Sequence, residues 1–306
     1  MDPAICNSDL KYPGFYPVTT FGYKFPIDEI IRPYLQRFSP VIMVSYFYAQ
    51  DIDKKNESLF IDSGGYASLF ADRVIYPLNN GTYGIQNKDG MIIDPESVLK
   101  MQEKYAVIGA TLDFVVTKEM NLPESIERQN QTIANAKWAV KNKQNPALRL
   151  FASLQAWDRD SMAKICEAFL PLPFDGFALG GMISKMHTPD DIHELITTFR
   201  EMEKERPLHL FGIGNPKLVK DFYKYGVSSV DSSNYVRQAI SKRYLLPDEG
   251  TYVALREIGQ DPSLICDCAV CRQFTSEYLA LDGELNNMAL ALHNLSATFN
   301  YLQIGI

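Results

Sequence analysis

Short apolar runs recur along this chain and are separated by stretches with helical spacing. The runs at 41–47, 58–61, 106–112, 148–154, 174–179, 208–212 and 228–230 are each short enough for a buried strand. Helix starts of one form lie between them. Asp94-Pro95-Glu96, Thr188-Pro189-Asp190 and Asn215-Pro216-Lys217 each set a capping side chain before a proline at the first helical position. The third helix is expected to run to Tyr225 and stop at Gly226, a glycine suited to the left-handed C-terminal position. The Asn- and Gly-rich segment 79–90 reads as an exposed hairpin or loop.

Repeated strand–turn–helix units over most of the chain predict a parallel sheet. Seven or eight of them favour a closed, TIM-like (β/α)8 barrel over an open doubly wound sheet. No G-x-G-x-x-G or Walker loop follows a strand, which weakens dinucleotide and nucleoside-triphosphate readings. The division expected is a catalytic barrel over 1–250 and a zinc-binding subdomain over 251–306 packed on it.

Composition adds constraints. The 306 residues carry a formal charge of −7, so the average field does not advertise a polyanion binder. A local basic patch can still act, and Arg237-Gln238-Ala239-Ile240-Ser241-Lys242-Arg243 is the candidate. The lysines of 137–143 read as an ordinary solvated face. No charged n-region followed by an apolar run suggests a secretory signal, and no apolar run reaches the roughly 20 residues of a membrane span. Cys6 and Cys166 are isolated in sequence, as expected of reduced thiols in a cytoplasm, bacterial or phage-infected.

The other three cysteines form Cys266-Asp267-Cys268-Ala269-Val270-Cys271, and His293 follows in the helical stretch 286–302. A lone histidine on an apolar helix is usually a core residue. Three thiols at C-x-C-x-x-C spacing reverse that expectation and point to a tetrahedral zinc site of three sulfurs and one nitrogen. Four protein ligands leave no open position, so this zinc holds structure and does no chemistry.

Polar residues collect at strand ends, where barrels place their reactive groups. Asp62 closes 58–61 and opens Asp62-Ser63-Gly64-Gly65-Tyr66; Asp113 closes 106–112; Gln155 closes 148–154; Gly180-Gly181 ends 174–179; Asp231 closes 228–230. One such Asp is as readily a helix cap. Three carboxylates and a carboxamide on one rim suit recognition and transformation of a polar ring.

These residues resemble the tRNA-guanine transglycosylases and their DNA-acting relatives. The likeness is carried by Asp62 through Tyr66, Leu154-Gln155, Phe174 through Gly181, Phe211-Gly212-Ile213-Gly214, Gly226 through Asp231, Cys266 through Arg272, and His293-Asn294-Leu295, in family order. It implies a (β/α)8 barrel with a zinc subdomain that exchanges guanine in a polynucleotide for a free 7-deazaguanine base. By resemblance Asp231 is the nucleophile on C1′ and Asp62 the acid/base. Asp113 reads the base edge, with Glu119 the competing choice. Ser63, Gln155, Gly180 and Gly181 line the base site, and Tyr66 and Phe211 sandwich the ring. The segment Val230-Asp231-Ser232-Ser233 looks more like the DNA-modifying (DpdA-type) branch, so DNA is the preferred substrate and tRNA the alternative. A homodimer is compatible with the resemblance. A zinc-stabilised barrel glycosidase is the reading from another class, because it too would use paired carboxylates.

Overall fold

The computed structural model describes residues 11–21, 24–49, 58–90 and 92–304; Cys6 lies outside them. In chain order the strands are β1 (Gly14–Thr19), β2 (Ile42–Val44), β3 (Leu59–Ile61), β4 (Val74–Pro77), β5 (Tyr83–Gln86), β6 (Ile92–Ile93), β7 (Ala106–Ala110), β8 (Arg149–Leu154), β9 (Gly176–Leu179), β10 (Leu208–Leu210), β11 (Ser229–Ser232), β12 (Arg243–Leu246) and β13 (Thr251–Ala254). The helices are α1 (Pro26–Leu35), α2 (Pro95–Tyr105), α3 (Leu122–Asn142), α4 (Arg159–Phe169), α5 (Pro189–Met202), α6 (Pro216–Lys224), α7 (Asn234–Ile240), α8 (Ser276–Ala280) and α9 (Glu284–Leu302).

Eight parallel strands close into a barrel in the order β1-β11-β10-β9-β8-β7-β3-β2. The expected (β/α)8 architecture is therefore present. Seven of its strands coincide with the apolar runs, mostly shortened by one to four residues. The eighth, β1, was not among them, because Pro13 and Pro17 make its sequence a poor strand. The structure shows how Pro17 is tolerated. Pairing of β1 with β11 ends at Pro17↔Ser232, and pairing with β2 begins at Val18↔Met43. The proline sits where the strand passes from one neighbour to the other.

Period-2 alternation divides the side chains into two layers. Tyr16, Met43, Phe60, Ile108, Ala110, Phe151 and Ala178 fill the barrel interior. Phe15, Leu59, Ile61, Leu150, Leu179, Leu210 and Val230 face outward and join the core beneath the helices. On β10 and β11 the inward places fall to His209, Ser229 and Asp231, all buried. The interior is thus lined by aromatic and aliphatic side chains over six strands and polar at the β10–β11 seam.

The helix starts follow the capping argument with one exception. Asp94 and Asn215 accept from the backbone N–H of Ser97 and Lys217, whereas the Thr188 hydroxyl bonds Asp191 and caps no backbone group. Gly226 follows α6 with φ +90°. The segment 79–90 contains a hairpin turn, but it is not exposed throughout. Strands β4, β5 and β6 form an antiparallel sheet, Ile85 is buried, and the Asn135 side chain of α3 bonds the backbone of Tyr83 at 2.8 and 3.0 Å. Position 250 falls in the turn of the antiparallel β12–β13 ribbon, and α9 packs against α1, α6 and α7. Among the described residues no helix is long and apolar enough to cross a membrane.

Candidate active site and metal centre

A cavity of about 1200 Å³ opens at the strand ends, and Asp62, Ser63, Tyr66, Asp113, Gly180, Gly181, Phe211 and Asp231 all border it. Strand ends from five parts of the sequence thus meet on one wall, as the barrel topology requires. Gln155 is not on the surface of that wall. It is fully buried behind Asp113.

Asp231 lies inside β11, in register with Tyr16 of β1. Its Oδ1 accepts two hydrogen bonds, from Gly212 N–H at 3.0 Å and from His209 Nε2 at 3.0 Å. Gly212 has φ +75°, a conformation that turns its N–H toward the carboxylate and that a side chain would resist. His209 Nδ1 lies 2.9 Å from Ser229 Oγ. The histidine was absent from the sequence-derived site. Within Leu208-His209-Leu210 it looks like a core residue, and only the pairing His209↔Ser229 brings it to Asp231.

Asp62 follows β3. Its Oδ1 accepts from the backbone N–H of Tyr46 and Gly64, each at 2.8 Å. Burial at the cavity wall pushes this carboxyl up from 3.8 to about 7, and the charge of Asp231 adds a smaller push in the same direction. The backbone donors oppose the shift without cancelling it. A carboxyl that titrates near neutrality can both give and take a proton.

Asp113 is held by two short hydrogen bonds, from Ser63 Oγ and from Gln155 Nε2. Burial raises its pKa, against these donors. The Ser63 hydroxyl also accepts from Gly65 N–H at 2.9 Å, and Gln155 Oε1 accepts from Val116 N–H at 3.0 Å. Ser63 and Gln155 therefore orient Asp113. Gly180 makes room for that arrangement, since a Cβ there would stand 2.2 Å from Gln155 Nε2. Between the two carboxylates left open by sequence, Asp113 borders the cavity. Glu119 is exposed and outside the lining, its pKa lowered chiefly by the Thr117 hydroxyl.

The two aromatic candidates differ in burial. Phe211 is half-buried, with its ring 5.0 Å from His209 and 6.2 Å from Phe60. Tyr66 is 53% exposed and touches Phe70 edge-on at 5.9 Å. At the mouth the lining includes Lys217, Arg237 and Arg243. Of the basic segment 237–243, Lys242 is used elsewhere and bonds Leu281 O and Asn287 Oδ1. In the other basic stretch Lys143 pairs with Asp175 at 3.1 Å.

The ligand atoms of Cys266, Cys268, Cys271 and His293 all lie within 4.8 Å of one another. Sulfurs bound to one zinc at ~2.3 Å stand about 3.8 Å apart, so the group fits one ion. His293 Nδ1 faces Cys271 Sγ at 3.2 Å and Cys268 Sγ at 3.5 Å. Its Nε2–H donates to Leu245 O at 3.0 Å, which leaves the Nδ1 lone pair free for a metal. The Tyr244 ring stacks on the imidazole at 3.7 Å. Next to it, the Asn294 side chain bonds Leu245 N–H at 2.9 Å and Arg243 O at 3.0 Å. A metal here would join the cysteine loop, β12 and α9. Cys166, by contrast, is buried alone on α4, and burial pushes its thiol up to about 12.

Comparison with known proteins adds a second line of observation. The sequence profile of the family described as "Queuine tRNA-ribosyltransferase" matches residues 49–303. The tRNA-guanine(15) transglycosylase of Methanocaldococcus jannaschii is 26% identical over 303 residues, 96% of this chain and 45% of the relative. That of Korarchaeum cryptofilum is 27% identical over 299 residues, 94% and 48% respectively. That of Methanococcus aeolicus is 24% identical over 266 residues, 84% and 40%. The chain thus spans less than half the length of these relatives.

Proposed function

The chain belongs to the queuine tRNA-ribosyltransferase family, and on that footing we propose that it exchanges a guanine in a polynucleotide for a free 7-deazaguanine base through a covalent aspartyl intermediate. The observation that carries this reading is the pair of unlike carboxylates on one cavity wall. Asp62 titrates near 7, while Asp231 is held by His209 and the Gly212 N–H.

The target nucleotide enters the cavity with its base out of the stack, since the glycosidic carbon is otherwise out of reach. Asp231 attacks C1′; the C1′–O bond forms as the C1′–N9 bond breaks, and the departing guanine takes a proton from Asp62. The new base then gives its N9 proton to Asp62, and N9 attacks C1′ and releases Asp231. Asp113, oriented by Ser63 and Gln155, reads the polar edge of the ring, while Phe211 and Tyr66 cover its faces. Lys217, Arg237 and Arg243 at the mouth suit a phosphate backbone in spite of the acidic average. Zinc held by Cys266, Cys268, Cys271 and His293 supplies structural cross-linking alone. The proposed division sets the barrel at 1–250 and the zinc-bearing subdomain at 251–306.

For the polynucleotide we propose tRNA. The three relatives named above are tRNA-guanine(15) transglycosylases, and no finding supports the preference for DNA read from Val230 through Ser233. The test supplies isotope-labelled 7-deazaguanine with tRNA or with DNA and follows the label by nucleoside mass spectrometry. Label in tRNA, lost in Asp231→Asn, is the expected outcome. Label in DNA alone would replace the tRNA reading. Hydrolysis of a glycoside without incorporation would favour a glycosidase, and no label in either polymer from a folded protein would overturn the exchange reaction.

A further inference from the structure

We propose that His209 is a positioning residue that fixes which oxygen of Asp231 faces the substrate and supports that carboxylate as it leaves the covalent adduct. The proposal rests on the reading of Asp231 as the nucleophile and goes beyond it in naming what holds the nucleophile.

The inner layer of a barrel of this kind is normally filled by branched apolar side chains. His209 occupies such a place and is fully buried. Phe60 lies 4.9 Å away, and the Tyr16 ring stacks parallel to it at 5.8 Å and 12°. A histidine retained there as filler would leave its nitrogens wanting partners, and burying them unpaired is costly. Both are engaged here, and both on the neighbouring strand. Nε2 faces Asp231 Oδ1 at 3.0 Å and Nδ1 faces Ser229 Oγ at 2.9 Å. A carboxylate can only accept, so Nε2 carries the hydrogen.

The consequence lies in how the two oxygens of Asp231 are used. Oδ1 receives His209 and Gly212; Oδ2 receives no hydrogen bond from the described residues, and Asp231 borders the cavity. Oδ2 is therefore the attacking atom. Once it is esterified to C1′, Oδ1 becomes the ester carbonyl oxygen and still faces two N–H donors. When the new base attacks C1′, the electron pair of the breaking C1′–Oδ2 bond returns to the carboxylate. The donors on Oδ1 stabilise that charge, as preorganised donors do at other developing anions.

The experiment compares His209→Phe, which keeps a ring against Tyr16 but loses the donor, with His209→Gln, which keeps a donor near the Nε2 position. Thermal melts establish that each is folded. Single-turnover guanine release and steady-state exchange are then measured on the nucleic acid that wild type modifies. His209→Phe is expected to lower kcat by about ten- to a hundredfold, with little change in KM for the incoming base; His209→Gln should recover most of the loss. Equal losses in the two folded variants would assign His209 to packing and overturn the proposal, as would an unchanged kcat in His209→Phe. A crystal structure of His209→Phe gives a readout that needs no turnover. The Asp231 carboxylate should rotate away from Gly212 N–H, and an unmoved carboxylate would overturn the proposal whatever the activity. Wild type that exchanges no base would instead remove the functional reading, with the crystallographic result still deciding the positioning.

Discussion

Replacing Asp62 by Asn should stabilise the protein at alkaline pH while destroying its activity. Burial raises the Asp62 pKa from 3.8 to about 7 in the folded chain. The unfolded chain has its pKa near 3.8, so between those values the native state holds a proton that the unfolded state has lost. Stability from this group is complete below 3.8, declines as pH rises through the window, and is flat above about 7. A shift of roughly three units at about 1.4 kcal/mol each gives an upper figure of about 4 kcal/mol. Asp62 is only partly buried and borders the water of the cavity, so about 2 kcal/mol is the expected size. Asn keeps an oxygen for the N–H groups of Tyr46 and Gly64 and has no charge to desolvate. Urea unfolding of both proteins at about pH 5 and about pH 8.5 gives the stability difference at each pH, and effects common to both proteins cancel. The difference should move in favour of Asp62→Asn by about 1.3 kcal/mol toward the higher pH, because the part of the window below pH 5 has already been crossed at the lower pH. A difference that does not change with pH would refute the claim that the folded protein raises this pKa, and with it the physical basis for a proton shuttle near neutrality.

Purified protein should contain about one zinc per chain by elemental analysis, and Cys268→Ser should lose the metal and melt at lower temperature; a folded, metal-free wild type of equal stability would contradict this. Phe211→Ala should weaken binding of the free base by about 1–3 kcal/mol in calorimetry, the usual size of base stacking, with the fold retained; unchanged affinity would show that the base lies elsewhere. Asp231→Asn should abolish the trapped glycosyl adduct on denaturing gels while nucleic-acid binding persists.

The architecture was legible along the chain because seven of the eight barrel strands are short apolar runs, and because α2, α3, α4, α6 and α8 open on a capping side chain. The same logic singled out Asp62, Asp113 and Asp231, because three carboxylates that each close an apolar run are harder to explain as helix caps than one is. The cysteine spacing announced its own site, because three thiols so close in sequence cannot be far apart in space. Local pattern failed at β1, where Pro17 argues against a strand until one sees that it sits between two pairing partners. It failed also at His209, which alternation alone assigns to a core. Strand register decided that site, by setting His209 beside Ser229 and Tyr16 beside Asp231. Register likewise brought Ser63 and Gln155, from two distant strand ends, onto one carboxylate. The chain by itself determined which residues could be reactive, because chemistry resides in side-chain type. Only the closed barrel decided which of them touch and which carboxyl is pushed toward neutrality, because contact and desolvation depend on neighbours that are remote in sequence.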